Sequence, residues 1–173
     1  ACMSGEYPVT RAAGSVRHVE FGAVAHIRHG LHLSILRDIT RQKEAERALV
    51  ASERKFSAIF ASSPHGIFLG EVESCRIIEA NPAFQELIGR SRQDTIGRIP
   101  PDLGFDVSRG LRQAVIGRLR AGEVVRNLEV NVTRRPGDVR RVMMAFDSLV
   151  LEGAPRLFLA VAADVTERHH LEE

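Results

Sequence analysis

His26, His29 and His32 recur every third residue, with His18 upstream, and imidazoles gathered at a hairpin tip can hold zinc through their neutral ring nitrogens. No Cys, Asp or Glu stands immediately beside them to complete a four-ligand site. They are therefore read as solvated residues around a turn at 28–30, and no metal is assigned. Cys2 and Cys75 are too few for a disulfide framework or a Cys-based metal site, and free thiols suit a reducing, cytoplasmic setting. Cys75 is expected to open a strand as a small buried hydrophobe. His65 sits in a loop and receives no role. A glycine-rich phosphate loop and a nucleophile with a neighbouring base are both missing, so no catalytic residue is assigned.

A different pattern occurs twice. Asp38-Ile39-Thr40 returns as Asp164-Val165-Thr166, each time followed by a charged run of helical composition. Asp and Thr can accept hydrogen bonds from the free N–H groups of a starting helix and sit favourably at its positive end. Asp38, Thr40, Asp164 and Thr166 are thus candidate residues at the start of a helix.

The repeat extends upstream. Residues 10–21, TRAAGSVRHVEF, align on residues 133–144, TRRPGDVRRVMM, at an offset of 123, which grows to 126 at the aspartates through three extra loop residues. A repeat with a period near one domain length implies tandem domains. The first copy has room for only its C-terminal end, and position 1 is not Met, so we expect a fragment of a longer protein: residues 1–40 a leftover β-hairpin, 41–62 a linker helix, 63–166 a complete domain, and 167–173 the start of an outgoing helix.

Between the repeats, residues 40–62 contain no Gly or Pro. Ala45, Leu49, Ser52, Phe56 and Ile59 fall at spacings of 4, 3, 4 and 3, an apolar seam flanked by charge that predicts an amphipathic helix roughly 30 Å long. Such a helix either forms a dimeric coiled coil or lies on its own domain's sheet.

Two short strands at 66–72 and 75–80, joined at Glu73-Ser74, precede Asn81-Pro82, an N-cap with a first-turn proline. Helices follow from Asn81-Pro82 to Gly89, at 91–96 and at 108–121, with Pro100-Pro101 as a break. Three longer strands at 123–134, 139–151 and 156–165 complete the pattern. The all-apolar 157–163 run predicts a central strand covered on both faces and is far too short for the roughly 20 residues of a membrane span. This order predicts an α+β domain with an antiparallel sheet.

Composition limits the partners. The 173 residues are 44% hydrophobic and 27% charged with a net charge of +2, ordinary globular values. The arginines are interspersed with acids and form no basic block, so neither nucleic-acid binding nor membrane contact is expected.

The chain resembles a PAS domain with its C-terminal PAC segment, as found in tandem in bacterial signalling proteins. The resemblance is carried by Ala61-Ser62-Ser63-Pro64-His65-Gly66-Ile67, by Glu79-Ala80-Asn81-Pro82-Ala83-Phe84 with Leu87-Ile88-Gly89, by Gly137-Asp138-Val139-Arg140 and by Asp164-Val165-Thr166. Gly14-Ser15-Val16-Arg17 and Asp38-Ile39-Thr40 repeat its C-terminal part. It implies a five-stranded antiparallel sheet with short helices on one face, and Asp-(Ile/Val)-Thr as the exit from the last strand into a signalling helix, which makes Asp38, Thr40, Asp164 and Thr166 candidate relay residues; an ordinary helix cap accounts for them equally well.

The resemblance also implies a sensory and homodimerising module of a cytoplasmic or membrane-tethered protein, most often a histidine kinase. A diguanylate cyclase or phosphodiesterase parent and a ligand-free interaction scaffold are the alternatives. A small molecule would sit among Phe68, Ile78, Phe84, Leu87, Ile96, Phe105, Val115, Leu119, Leu128, Val130, Met144 and Phe158, residues that a closed core requires equally. The cofactor is left unknown. Haem is disfavoured because the helix before the third strand lacks histidine, and photoreactive flavin because no Asn-Cys-Arg-Phe-Leu-like stretch occurs. His169-His170 lacks the sequence context of a kinase phosphoacceptor.

Overall fold

The computed structural model describes residues 2–12, 14–28 and 31–166, with backbone alone for 2, 3, 24–28, 31 and 32. The chain divides into two compact units, Ala1–Ser57 and Ala58–Glu173.

The first unit is an antiparallel meander of β1 (Cys2–Thr10), β2 (Val16–Arg28) and β3 (Leu31–Asp38), followed by α1 (Thr40–Ser62), which runs on into the second unit. Sequence reasoning expected a two-stranded hairpin here; β1 is an additional strand. Gly5 and Pro8 break its alternation, yet both are admissible because β1 lies at the sheet edge, where a proline need not donate to a ladder. The start of α1 is held to this sheet by Ile39 and Thr40, both buried, and by an ion pair of 2.7 Å from Lys43 to Glu6 on β1.

The second unit is α+β, as expected. Its sheet runs β5-β4-β8-β7-β6, all antiparallel, from β4 (Gly66–Glu71), β5 (Ile77–Ala80), β6 (Val125–Arg135), β7 (Asp138–Leu149) and β8 (Leu157–Asp164). Between β5 and β6 come α2 (Pro82–Ile88), α3 (Arg92–Thr95), a 3-10 turn at Pro100–Leu103 and α4 (Arg109–Arg120). Each helix begins at a side-chain cap: Asn81, Ser91 and Ser108 accept from the backbone N–H of Phe84, Asp94 and Leu111. α2 ends at Gly89, whose φ of +66° is the left-handed conformation that lets the chain turn away.

β8 is the central strand, as its uniform apolarity predicted. Its burial alternates, however: Phe158, Ala160 and Ala162 are buried on the helix side, while Leu157, Leu159 and Val161 are half-buried on the other, so both faces are not covered alike. Two further expectations are corrected. Cys75 does not open β5; it closes the preceding turn at φ +57°, its N–H donating to the Glu71 carbonyl, and the strand starts at Ile77. Ile78, expected inside, is 41% exposed, because the later start of β5 turns Ile77 inward at 1% and Ile78 outward.

Phe68 stands at the centre of the core, with ring centroids 4.4 Å from Phe84 and 5.9 Å from Phe158. Ile77, Ile88, Leu103, Val132 and Val142 pack around these rings, each fully buried and each worth about 1.5–3 kcal/mol of transfer free energy. The sheet leaves no room at Gly70, where an added Cβ would lie 2.5 Å from Phe158 Cζ and 2.9 Å from the Arg76 carbonyl.

The internal repeat is matched strand for strand. Thr10 lies opposite Val16 as Thr133 lies opposite Val139, and Val19 opposite Asp38 as Val142 opposite Asp164. The three extra residues fall in the connection after β7.

Candidate functional site

Two features could serve a function: a cavity under the sheet of the second unit, and the places where the chain leaves β3 and β8.

The cavity has a volume of about 60 Å³ and lies between α4, the 3-10 turn and the sheet. Of the residues proposed for a pocket, Phe105, Val115, Leu119, Leu128, Val130, Met144 and Phe158 line it. Phe68 and Phe84 are buried in the core without lining it, Leu87 and Ile96 pack partly buried against that core, and Ile78 lies outside. Sequence reasoning missed Val72, Cys75, Pro100, Pro101, Val107, Ile116 and Phe146. Ile116 and Phe146 were recoverable from periodicity, since they share faces with Val115 and Met144. Arg112 also lines the cavity, and its type gave no such signal. At roughly 15 Å³ per water-sized sphere, this space admits about four heavy atoms. Pockets for drug-sized ligands are typically 300–1,000 Å³.

At the exit of β8, Asp164 Oδ1 accepts from the backbone N–H of Thr166 at 2.9 Å and from its hydroxyl at 2.5 Å. Thr166 Oγ1 in turn accepts from the N–H of Arg141 on β7 at 3.0 Å, and Arg140 reaches Asp164 Oδ2 at 3.2 Å. Burial alone would raise the Asp164 carboxyl, but hydrogen bonds from Thr166 and the Arg140 guanidinium outweigh it and hold the group below the usual carboxylate range.

The first unit repeats this clasp atom for atom. Thr40 N–H donates to Asp38 Oδ1 at 2.9 Å, His18 N–H donates to Thr40 Oγ1 at 2.9 Å, and Arg17 lies 3.7 Å from Asp38 Oδ2. The hydrogen bonds from Thr40 hold Asp38 low as well. In both clasps the aspartate accepts from the N–H two residues on, while the threonine hydroxyl accepts from the neighbouring strand and so ties the segment leaving β3 or β8 to the sheet.

His18 belongs to this junction, its ring 3.2 Å from the Arg47 guanidinium. His29 and the side chains of His26 and His32 lie outside the described residues, as do residues 167–173 of the expected outgoing helix. Among the described residues no cluster of metal-capable side chains occurs. Nor is any described helix long and apolar enough to cross a membrane.

Asn81 caps α2 and does more. Fully buried, it accepts from Phe84 N–H at 2.9 Å and Ile67 N–H at 2.8 Å, and its amide donates to the carbonyls of Phe60 and His65, each at 3.0 Å. One side chain therefore joins the end of α1, the loop after it, β4 and α2.

A five-stranded antiparallel sheet with short helices laid over one face and a small apolar interior defines an α+β domain built on one helix-covered sheet. Residues 54–120 match the PAS domain family model, and the second unit carries a PAS sensory domain. The chain is 28% identical over 162 residues to Sporulation kinase E of Bacillus subtilis (strain 168), a match covering 92% of this chain and 21% of that protein. Among solved structures, the PAS domain of an HTR-like protein from Haloarcula marismortui superposes with a TM-score of 0.61 at 24% identity, covering 70% of this chain and 98% of that one. A domain of a sensory box sensor histidine kinase/response regulator from Geobacter sulfurreducens gives 0.53 at 26% identity, over 67% and 96%. The chain spans about a fifth of the length of the curated kinase it matches.

Proposed function

We propose that this chain is a sensory and dimerising relay module of a sensor histidine kinase, itself without catalytic residues and working in the cytoplasm. In this reading residues 1–40 are the end of an upstream PAS domain, α1 is the linker and dimer helix, and the second unit senses a small molecule or a partner and passes the change on through Asp164 and Thr166. The observation that carries it is the clasp found twice, at Asp38–Thr40 where α1 begins and at Asp164–Thr166 where the chain leaves β8. The similarity to Sporulation kinase E across both units supports the choice of parent.

Dimerisation through α1 is supported by the exposure of its seam: Leu49, Phe56 and Ile59 are each 60% exposed, against the alternative of a helix lying on its own sheet. Sedimentation of the chain tests this. The expected result is a dimer that becomes a monomer of unchanged circular dichroism in the Leu49→Glu/Phe56→Glu variant. A wild-type chain that stays monomeric at high micromolar concentration would overturn the dimer reading.

A further inference from the structure

The face of α4 that lines the cavity is Arg112, Val115, Ile116 and Leu119, at helical spacing. Its first member is a cation where an aliphatic side chain would close the core. Arg112 is half-buried, and among the described residues its guanidinium makes neither a hydrogen bond nor an ion pair with the protein. It also lines an open cleft outside the cavity, together with Glu73, Ser74, Gln113 and Arg120. Cys75, Arg112 and Ile116 line both spaces, which therefore adjoin along these three residues.

The charges in that cleft are unequally committed. Glu73 is engaged through both carboxylate oxygens by Arg120, which leaves the Arg112 guanidinium uncommitted on the cleft side while its aliphatic stem lines the apolar cavity. Burial pushes the Cys75 thiol up, so the neighbouring sulfur stays neutral and adds no repulsion to an arriving anion. A ligand that satisfies both sides carries a carboxylate on a short aliphatic tail.

We propose that this site takes a short-chain aliphatic monocarboxylate, its tail of about four carbons filling the cavity and its carboxylate paired with Arg112 at the cleft. The proposal rests on the sensory reading of the cavity and adds to it the ligand's chemical class and the residue that selects it. Lengthening the tail beyond the cavity, or removing its charge, should weaken binding.

The test uses the full chain, ¹⁵N-labelled, with pentanoate, pentanamide and xenon as probes. Pentanoate should shift the amides of Val115, Leu128 and Met144 saturably, with pentanamide at least about tenfold weaker, the difference a charge-assisted bond supplies. In Arg112→Gln the two should bind alike while xenon still shifts the same amides, which shows the cavity intact. Equal binding of acid and amide to the wild-type chain would overturn the proposal and leave the cavity reading standing, and this comparison decides even if the variant fails to fold. Failure of all three probes to reach the cavity amides would overturn both.

Discussion

Replacing Asn81 by alanine removes four hydrogen bonds of 2.8–3.0 Å from a fully buried position. The N–H groups of Ile67 and Phe84 lose their acceptor in a region closed to water, and the loss of the α2 cap alone costs about 1 kcal/mol. The Ile67 N–H adds about 1 kcal/mol, and the carbonyls of Phe60 and His65, which water can partly reach, about another 1 kcal/mol together. The expected loss is therefore about 3 kcal/mol, a large share of the 5–15 kcal/mol that holds a typical domain. Urea unfolding measures it as a lower midpoint at constant slope. Asn81→Asp keeps both acceptor bonds and loses both donated ones, so it separates the cap from the tie to α1. Amide exchange over residues 60–67 should accelerate in both variants, because both release the end of the helix from the domain. A loss below about 1 kcal/mol for Asn81→Ala, with unchanged exchange in that segment, would refute the view that this side chain anchors the incoming helix.

Two further outcomes follow from the geometry. Asp164 and Asp38 are both held low, and a carboxylate depressed in the folded state contributes stability above its unfolded value near 3.9 that is lost as pH falls through its folded value; the Thr166 and Thr40 amide resonances should thus move only below about pH 4, the Thr166 transition should vanish in Asp164→Asn, and a transition near neutrality would contradict the assignment. Gly70→Ala would press a methyl group against Phe158 and the Arg76 carbonyl and should cost about 1–3 kcal/mol in urea unfolding, whereas an unshifted midpoint would mean that the sheet is less closely packed there than the structure has it.

Much of this architecture is local in origin and was therefore readable. The α1 boundaries follow from an uninterrupted run of helix formers between Thr40 and Ser62, the caps from Asn81, Ser91 and Ser108, and the central place of β8 from its apolar run. What escaped depends on partners distant in sequence. β1 is a strand because β2 supplies its ladder, which no pattern within its own nine residues announces. Ile78 faces outward because the turn before β5 absorbs Cys75 in a left-handed conformation, shifting the alternation by a register that composition does not encode. The threonine of each clasp bonds across to a strand some 22–25 residues away, so its local chemistry suggested a cap and its tertiary neighbour made it a tie.

These ties gain meaning from the sheet's connectivity. β4 and β8 are antiparallel, with Gly66 opposite Ala162 and Ile67 opposite Val161, so the beginning of the domain and its end lie at the same end of adjacent strands. Asn81 fixes the incoming segment to Ile67 on β4, and Arg140 and Arg141 on β7 fix the outgoing segment at Asp164 and Thr166. A displacement of β8 relative to its neighbours would therefore strain both attachments together. The cavity lies against the same central strand, bounded by Phe158 on β8 and Met144 and Phe146 on β7. Phe158 faces Gly70, at the far end of that strand from the Gly66–Ala162 pair, and Met144, opposite Ala162, is the cavity residue nearest the attachments; a ligand that moved β8 would therefore have to shift it along its length to strain them, as a close-packed sheet permits.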